Sequence, residues 1–460
     1  MARGTKTIWL LALLVQVMVC GRLLADDDAI KPASFIRDVA PILVGKCQAC
    51  HGPKTAESNY RVDTFELMMK PGDFGTPTVT AGKLEDSGLY QLICAEDPHA
   101  RMPNNGSQLA KREIQTIANW IREGAKFDGQ NQAAPLRDQI PLDIPQSAAP
   151  ETYSATIPIT AMAFTVDGNQ LLVGGYHELL VWDPISATLA ARVRNIPQRT
   201  FGLAFSPDGS WLAVAGGSPG VSGDVRLLPW NGDAKKEAEP KVLKSSDDVF
   251  FDVAFRPDGK QLAASAADGS IHVFDMPAGN ERLKISNHAD WVTDISFSPD
   301  GKYIATASRD KTAKVFDAET GKLLTTYSEH KAPVRAVAFA PDGQSVISAG
   351  GSGIHIWKVE EAKLQGEMTG AKSDVNAVSS CGEYVLAACA DRSALQFKLA
   401  DRTLIRTLTH PAGVLSLAGH EPSRRVSAGC FDGTVTVWSL ESGAILKQFL
   451  AVPVAAKRKK

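Results

Sequence analysis

The rhythm of apolar and polar positions changes twice along the chain. Between residues 33 and 128 apolar residues recur at helical spacing. One stripe runs Phe35, Ile36, Val39, Ile42, Leu43; a second runs Leu109, Ile114, Ile117, Trp120, Ile121, with Ser107 before it and Gly124 after it. Both predict helices that turn one face to a core, the second started by Ser107 and stopped by Gly124. Pro41 predicts a kink in the first helix or the start of its inner turn. From Gly129 to Thr156 the rhythm stops, and Pro135, Pro141, Pro145 and Pro150 among Gln, Ala and Ser predict an extended, semi-rigid linker. Beyond the linker the period shortens to two. Val334-Arg335-Ala336-Val337-Ala338-Phe339 alternates as a strand and runs into Pro-Asp-Gly, where Pro fixes φ and Gly accepts a positive φ for the turn.

That strand and turn recur. LAFSPDGSWLAVAG from Leu203, VAFRPDGKQLAASA from Val253, ISFSPDGKYIATAS from Ile295 and VAFAPDGQSVISAG from Val337 are plain copies. Weaker ones start at Met162, Val378 and Leu417, which makes seven. The last three Pro-Asp-Gly triplets lie 42 residues apart, the length of one four-stranded propeller blade, and the glycine-rich segment Gly216 to Gly223 accounts for a longer first interval. Six of the copies end their third strand in an aromatic and a polar residue, among them Trp182-Asp183, Phe316-Asp317, Trp357-Lys358 and Trp438-Ser439. These features resemble the WD-repeat family, in which a His, a Ser or Thr and an Asp bond to the Trp of a blade. The resemblance places His288, Ser308 and Asp310 with Phe316, and His410 and Asp432 with Trp438 without the Ser. Ala444 to Leu450 can supply the last outer strand, and the piece around Tyr153 is either free or an added edge.

Composition narrows the class. The chain has 460 residues, 44% hydrophobic and 22% charged, so more than one globular domain is expected. A net charge of −2 removes the electrostatic footprint of a nucleic-acid binder. Residues 1–25 read as a secretory signal: Arg3 and Lys6, an apolar run from Ile8 to Gly21, and Asp26 beyond a cleavage point after Ala25. The run is shorter than the ~20 residues of a membrane span, so no span is expected after cleavage. Retention as an N-terminal anchor is the rival reading. An exported chain, periplasmic or otherwise extracytoplasmic, is expected. Residues 451–460, ending Lys457-Arg458-Lys459-Lys460, read as a solvated basic tail. Cys389 and Cys430 occupy equivalent places in successive repeats and are not expected to pair; Cys94 and Cys381 read as small buried hydrophobes.

The chemistry concentrates in Cys47-Gln48-Ala49-Cys50-His51. Two thiols three residues apart can add to the two vinyl groups of one porphyrin, and the next imidazole reaches the iron from the same side. With seven Cys and nine His in 460 residues, chance would produce the pattern far less than once. A thioredoxin-like pair would need a preceding strand, and a zinc site a fourth ligand. The loop Pro98-His99-Ala100-Arg101-Met102-Pro103 offers the sixth ligand, Met102 by preference and His99 as the alternative. Thioether ligation favours reduced iron, which suits electron transfer. Gly216-Gly217-Ser218-Pro219-Gly220 matches G-x-S-x-G but lacks the strand-to-helix elbow that activates a serine.

FIRDVAPILVGKCQACHG from Phe35, then Arg101-Met102-Pro103, then NWIREGA from Asn119, resemble the planctomycete-type cytochrome c domain, often joined to WD-repeat propellers. The reading is multidomain: signal 1–25, a small all-α cytochrome c-like domain at 33–128, linker 129–156, an all-β seven-bladed propeller at 157–450 and tail 451–460. The resemblance implies one haem c per chain and single-electron transfer to a protein redox partner or docking protein held by the propeller. The alternative is a WD-repeat scaffold whose haem is structural or ligand-sensing. An oxidoreductase with its site in the propeller channel is a third class, for which the repeats supply no cofactor motif.

Overall fold

The computed structural model describes residues 33–53, 55–73, 77–97, 100–104, 108–129, 131–140, 149–232 and 240–455. The expected signal 1–25, Ser107, His99 and the basic run Lys457–Lys460 lie outside them. The chain divides into two compact units, residues 1–141 and 142–460.

The first unit is helical. A π-helical turn, Phe35–Val39, leads into α1 (Ala40–Lys46); α2 (Phe65–Met68), α3 (Gly88–Cys94) and α4 (Lys111–Arg122) follow. Ser34 caps the entry, its hydroxyl accepting from Arg37 N–H at 3.1 Å, and Pro41 falls in the first turn of α1, where its missing N–H costs nothing. Both apolar stripes meet in one core, in which Phe35 packs edge-on against Phe65 at 4.8 Å and tilted against Trp120 at 5.1 Å. Gly124, at φ +98, ends α4 as expected, but the residue before the helix is Ala110, which has no capping side chain. Glu113 supplies the other half of a capping box, its carboxylate accepting Ala110 N–H at 2.7 Å.

The second unit consists, among the described residues, of six antiparallel sheets, five four-stranded and one seven-stranded. An 18-residue strand, Thr188–Phe205, explains the larger sheet. Its first part pairs with Tyr176–Asp183 and its second with Trp211–Ser218, so it is the outer strand of one four-stranded unit and the inner strand of the next. Seven units result. The turns after the inner strands form as their residues dictate: Gly209, Gly259, Gly301 and Gly343 have φ between 65° and 73°, and the Ser206 hydroxyl holds Asp208 at 2.6 Å and Trp211 N–H at 2.9 Å. The turn aspartates are therefore structural. Gly216 is equally so, since a Cβ there would lie 2.0 Å from Arg199 O.

The inner strands Met162–Phe164, Thr188–Phe205, Phe250–Phe255, Val292–Phe297, Val334–Phe339, Val375–Cys381 and Val414–His420 touch one another in that order, and the last touches the first. Other groups join the ends of the series. Ser416 Oγ donates to Ile159 O at 2.8 Å, Trp182 Nε1 to Ala451 O at 3.2 Å, and Tyr153 bridges in parallel to Val454. Two expectations are thereby refined. The segment read as linker is docked at both ends, with Leu136 fully buried in the first unit and Tyr153 buried in the second. The segment read as tail starts with Ala451 and Val452 buried. Apolar side chains set between the prolines account for both.

The polar network inside the blades also departs from its sequence reading. His288 bonds Asp310 and Thr306, each at 2.8 Å, while Ser308 donates to Asp290 O instead. Thr306 and Ser308 are two apart on one strand and share a face, so spacing alone does not separate them. In the next unit His330 bonds Ser348 at 2.7 Å and Trp357 Nε1 donates to the same hydroxyl at 3.1 Å. The last unit carries Ala428 at this place, since Ala428 faces Leu417 as Ser348 faces Val337. Both His410 nitrogens and Trp438 Nε1 are buried there without partners. Ala428→Ser should restore the bridge and stabilise the unit by roughly 1 kcal/mol, read as a higher urea midpoint at unchanged slope.

Cys389 and Cys430 face Val375 and Val414 at equivalent positions, and both are free and buried. Among the described residues no helix is long and apolar enough to cross a membrane.

Candidate haem-attachment site

The site grows from the end of α1. Leu43 is fully buried and anchors the helix, and its carbonyl accepts from Cys47 N–H at 2.9 Å, which carries the chain into a tight turn. His51 N–H then returns to Cys47 O at 3.0 Å, so the first thiol and the imidazole sit on one closed turn. Gly52 lets the chain leave: a Cβ there would lie 2.4 Å from Gln48 O. Val62 N–H donates to His51 O at 2.8 Å and ties the turn to the following segment.

Cys47 packs against the edge of the first unit's core and Cys50 is exposed. Burial first, then the neighbouring Cys50 and Glu113, push the Cys47 thiol up to about 11. A redox-active dithiol needs the reverse shift, because the thiolate is the nucleophile. The thioredoxin-like reading therefore lacks its electrostatics. His51 is half-buried, and its Nδ1 is enclosed without a hydrogen-bond partner. Tyr60 packs edge-on to the imidazole at 5.4 Å, with its hydroxyl donating to Met68 O at 3.1 Å. Burial, the larger effect, and Cys47 raise the Tyr60 phenol above its ordinary range.

The sequence reading singled out the two thiols and the imidazole but not Tyr60, a loop residue outside any periodic stripe. Met102 lies half-buried between α3 and α4, held by its N–H to Leu92 O at 3.0 Å. His99, the alternative ligand, is outside the described residues. The donor set suits a c-type haem: two thiols and an imidazole leave one short turn at the rim of an apolar core, and one imidazole nitrogen is not engaged by protein. Half-buried Tyr60, Met69, Leu84 and Ile114 at that core supply apolar surface of the kind a porphyrin needs.

Comparison with known proteins gives the same division. The Planctomycete cytochrome C family matches residues 47–106, and the WD domain, G-beta repeat family matches residues 240–275, 279–317, 321–358 and 402–439. The chain is 32% identical to WD repeat-containing protein VIP3 of Arabidopsis thaliana over 22% of this chain and 34% of that protein. It is 30% identical to Periodic tryptophan protein 2 of the same plant over 30% of this chain and 15% of the relative, and 27% identical to the Protein LST8 homolog of Drosophila melanogaster over 27% and 38%. The chain thus spans well under half the length of these relatives. One polypeptide carries a planctomycete cytochrome c domain followed by WD repeats, and it is a fusion of those two families.

Proposed function

We propose that the chain is an exported c-type haem protein in which Cys47 and Cys50 hold one haem by thioether bonds, His51 ligates the iron and Met102 completes the coordination. The observation that carries this reading is the closed Cys47–His51 turn at the rim of the apolar core, with an imidazole nitrogen left unpartnered. Bound haem supplies one-electron iron chemistry. The chain's own residues supply the rest: α1 fixes the spacing of the thiols, Gly52 permits the turn, Tyr60 restrains the imidazole, and the core excludes water from one side.

The second unit's part is to dock the redox partner. Support comes from its WD repeats, which generally mediate protein–protein contacts, and from the circuit of touching inner strands, which we read as one closed seven-bladed ring. A rigid ring with variable loops suits recognition. Export is part of the same reading, and its support is the secretory-signal pattern of residues 1–25.

The experiment is maturation of the full chain with haem-attachment machinery, followed by intact mass and absorption spectra in both redox states. A mass above that of the amino acids and a Soret band that survives denaturation are expected. Absence of both refutes the reading. Met102→Ala should turn a low-spin, carbon-monoxide-insensitive reduced spectrum into one that binds carbon monoxide. An unchanged spectrum would move the sixth ligand to His99.

A further inference from the structure

The inner strands of the third and fourth units, Phe250–Phe255 and Val292–Phe297, each carry an aspartate beside the residue where strand pairing shifts register. Asp252 Oδ2 accepts Ile295 N–H at 3.3 Å; Asp294 Oδ1 accepts the same N–H at 2.9 Å, and its Oδ2 accepts Val337 N–H at 2.8 Å from the fifth unit. Oxygens of two carboxyls from different strands thus converge on one N–H donor. Ionised carboxylates are acceptors only, so the two groups can bond each other only through a proton on one of them.

Among the described residues, those that face the pair are uncharged. The second unit presents Gly202, where a Cβ would lie 2.6 Å from Asp252 Cα and 2.8 Å from its Oδ1. Across each sheet the pair faces Ser265 and Ala307, and the fifth unit carries Ala336 at the equivalent position. Arg335, next to Ala336, is tied to Asn376 at 2.8 Å and to Asp374 at 3.0 Å. Thr293, next to Asp294, donates to Val334 O at 3.0 Å. The negative charge of Asp294 is itself one of the causes that raise Asp252.

We propose that Asp252 and Asp294 form a proton-binding site that holds one proton between them at neutral pH, and that this shared proton fastens the inner strands of the third, fourth and fifth units together. Burial raises both groups, Asp294 to about 6 and Asp252 well above the carboxylate range. Among the described residues they are the only carboxyls so raised. A folded-state pKa above the unfolded one stabilises fully below the unfolded value, near 3.8; the share of Asp294 is lost as pH rises through about 6, and the proton that stays on the pair at neutral pH is lost only above that. Buried histidines work in the opposite direction: His330, pushed down to about 3, and His410, to about 4, cost stability as pH falls. The difference between wild type and a variant therefore isolates the pair.

The test uses the full chain and Asp294→Asn, whose amide can donate to Asp252 in place of the proton. In urea unfolding followed by tryptophan fluorescence, the wild-type unfolding constant should rise roughly tenfold relative to the variant's between about pH 5 and about pH 8. In parallel, infrared spectra of the wild type at neutral pH should show the carbonyl stretch of a protonated, buried carboxylic acid that fades at alkaline pH. This second measurement needs no substitution and decides the matter if the variant does not fold. Parallel pH profiles, or no acid band in the wild type, would overturn the proposal. Neither readout depends on haem, so failure here is distinct from failure of the electron-transfer reading.

Discussion

Cys47→Ala/Cys50→Ala is expected to leave the attachment machinery at the mass of its amino acids alone and to show no Soret band after denaturation. Haem content should fall from stoichiometric to none, because without either sulfur no thioether can form and imidazole ligation alone does not survive unfolding. The single Cys50→Ala variant should retain covalent haem through Cys47, with a spectrum altered by the free vinyl group. Cys50 is exposed and contributes little to the core, so its loss tests attachment without disturbing folding. Cys47 touches the core, so a far-ultraviolet circular dichroism spectrum of the double variant should accompany the mass. A variant that is folded and still carries covalent haem would refute the assignment of these thiols.

The second large effect concerns the entry to the WD-repeat unit. Glu178 is fully buried and accepts from Arg192 Nε at 2.7 Å, Arg192 Nη2 at 2.6 Å and Tyr153 Oη at 2.7 Å. The Tyr153 oxygen in turn accepts Tyr176 N–H at 2.9 Å, and Arg192 Nη1 donates to Glu151 O at 2.9 Å. Glu178→Ala strands a largely buried guanidinium and a buried phenol at once. It should cost about 3 kcal/mol or more, since removing one partner of a buried ion pair leaves the other charge uncompensated. Tyr153→Phe leaves the ion pair intact and should cost only about 1 kcal/mol. Urea unfolding of both variants checks the ranking. Equal losses would mean that the hydroxyl, not the charge pair, holds the segment.

Legibility varied with the range of the interaction. The seven repeats could be counted because each turn is written locally in Pro-Asp-Gly, and the helical stripes could be placed because Phe35 and Trp120 belong to unbroken periodic runs. The thiol–imidazole turn was visible because its chemistry fixes spacing within five residues. What depended on distant partners was not visible. Glu113 can bond Ala110 N–H only because the helix start brings them together; Thr306 takes the place of Ser308 because its hydroxyl lies 2.8 Å from His288 Nε2. The union of Thr188–Phe205 into one strand, and the pairing of Asp252 with Asp294, arise between repeats whose sequences carry no mark of it.

The parallel bridge between Tyr153 and Val454, with Tyr153 N–H on Pro453 O at 2.8 Å and Ala455 N–H on Tyr153 O at 2.9 Å, bears on how the chain matures. About 300 residues separate the two halves of this clasp, so the loop it closes carries one of the largest ordering entropies available to the chain. Synthesis delivers Tyr153 long before Val454. Until then the face that will meet the final sheet stays uncovered, and sticky strand edges are vulnerable to pairing with the wrong neighbour.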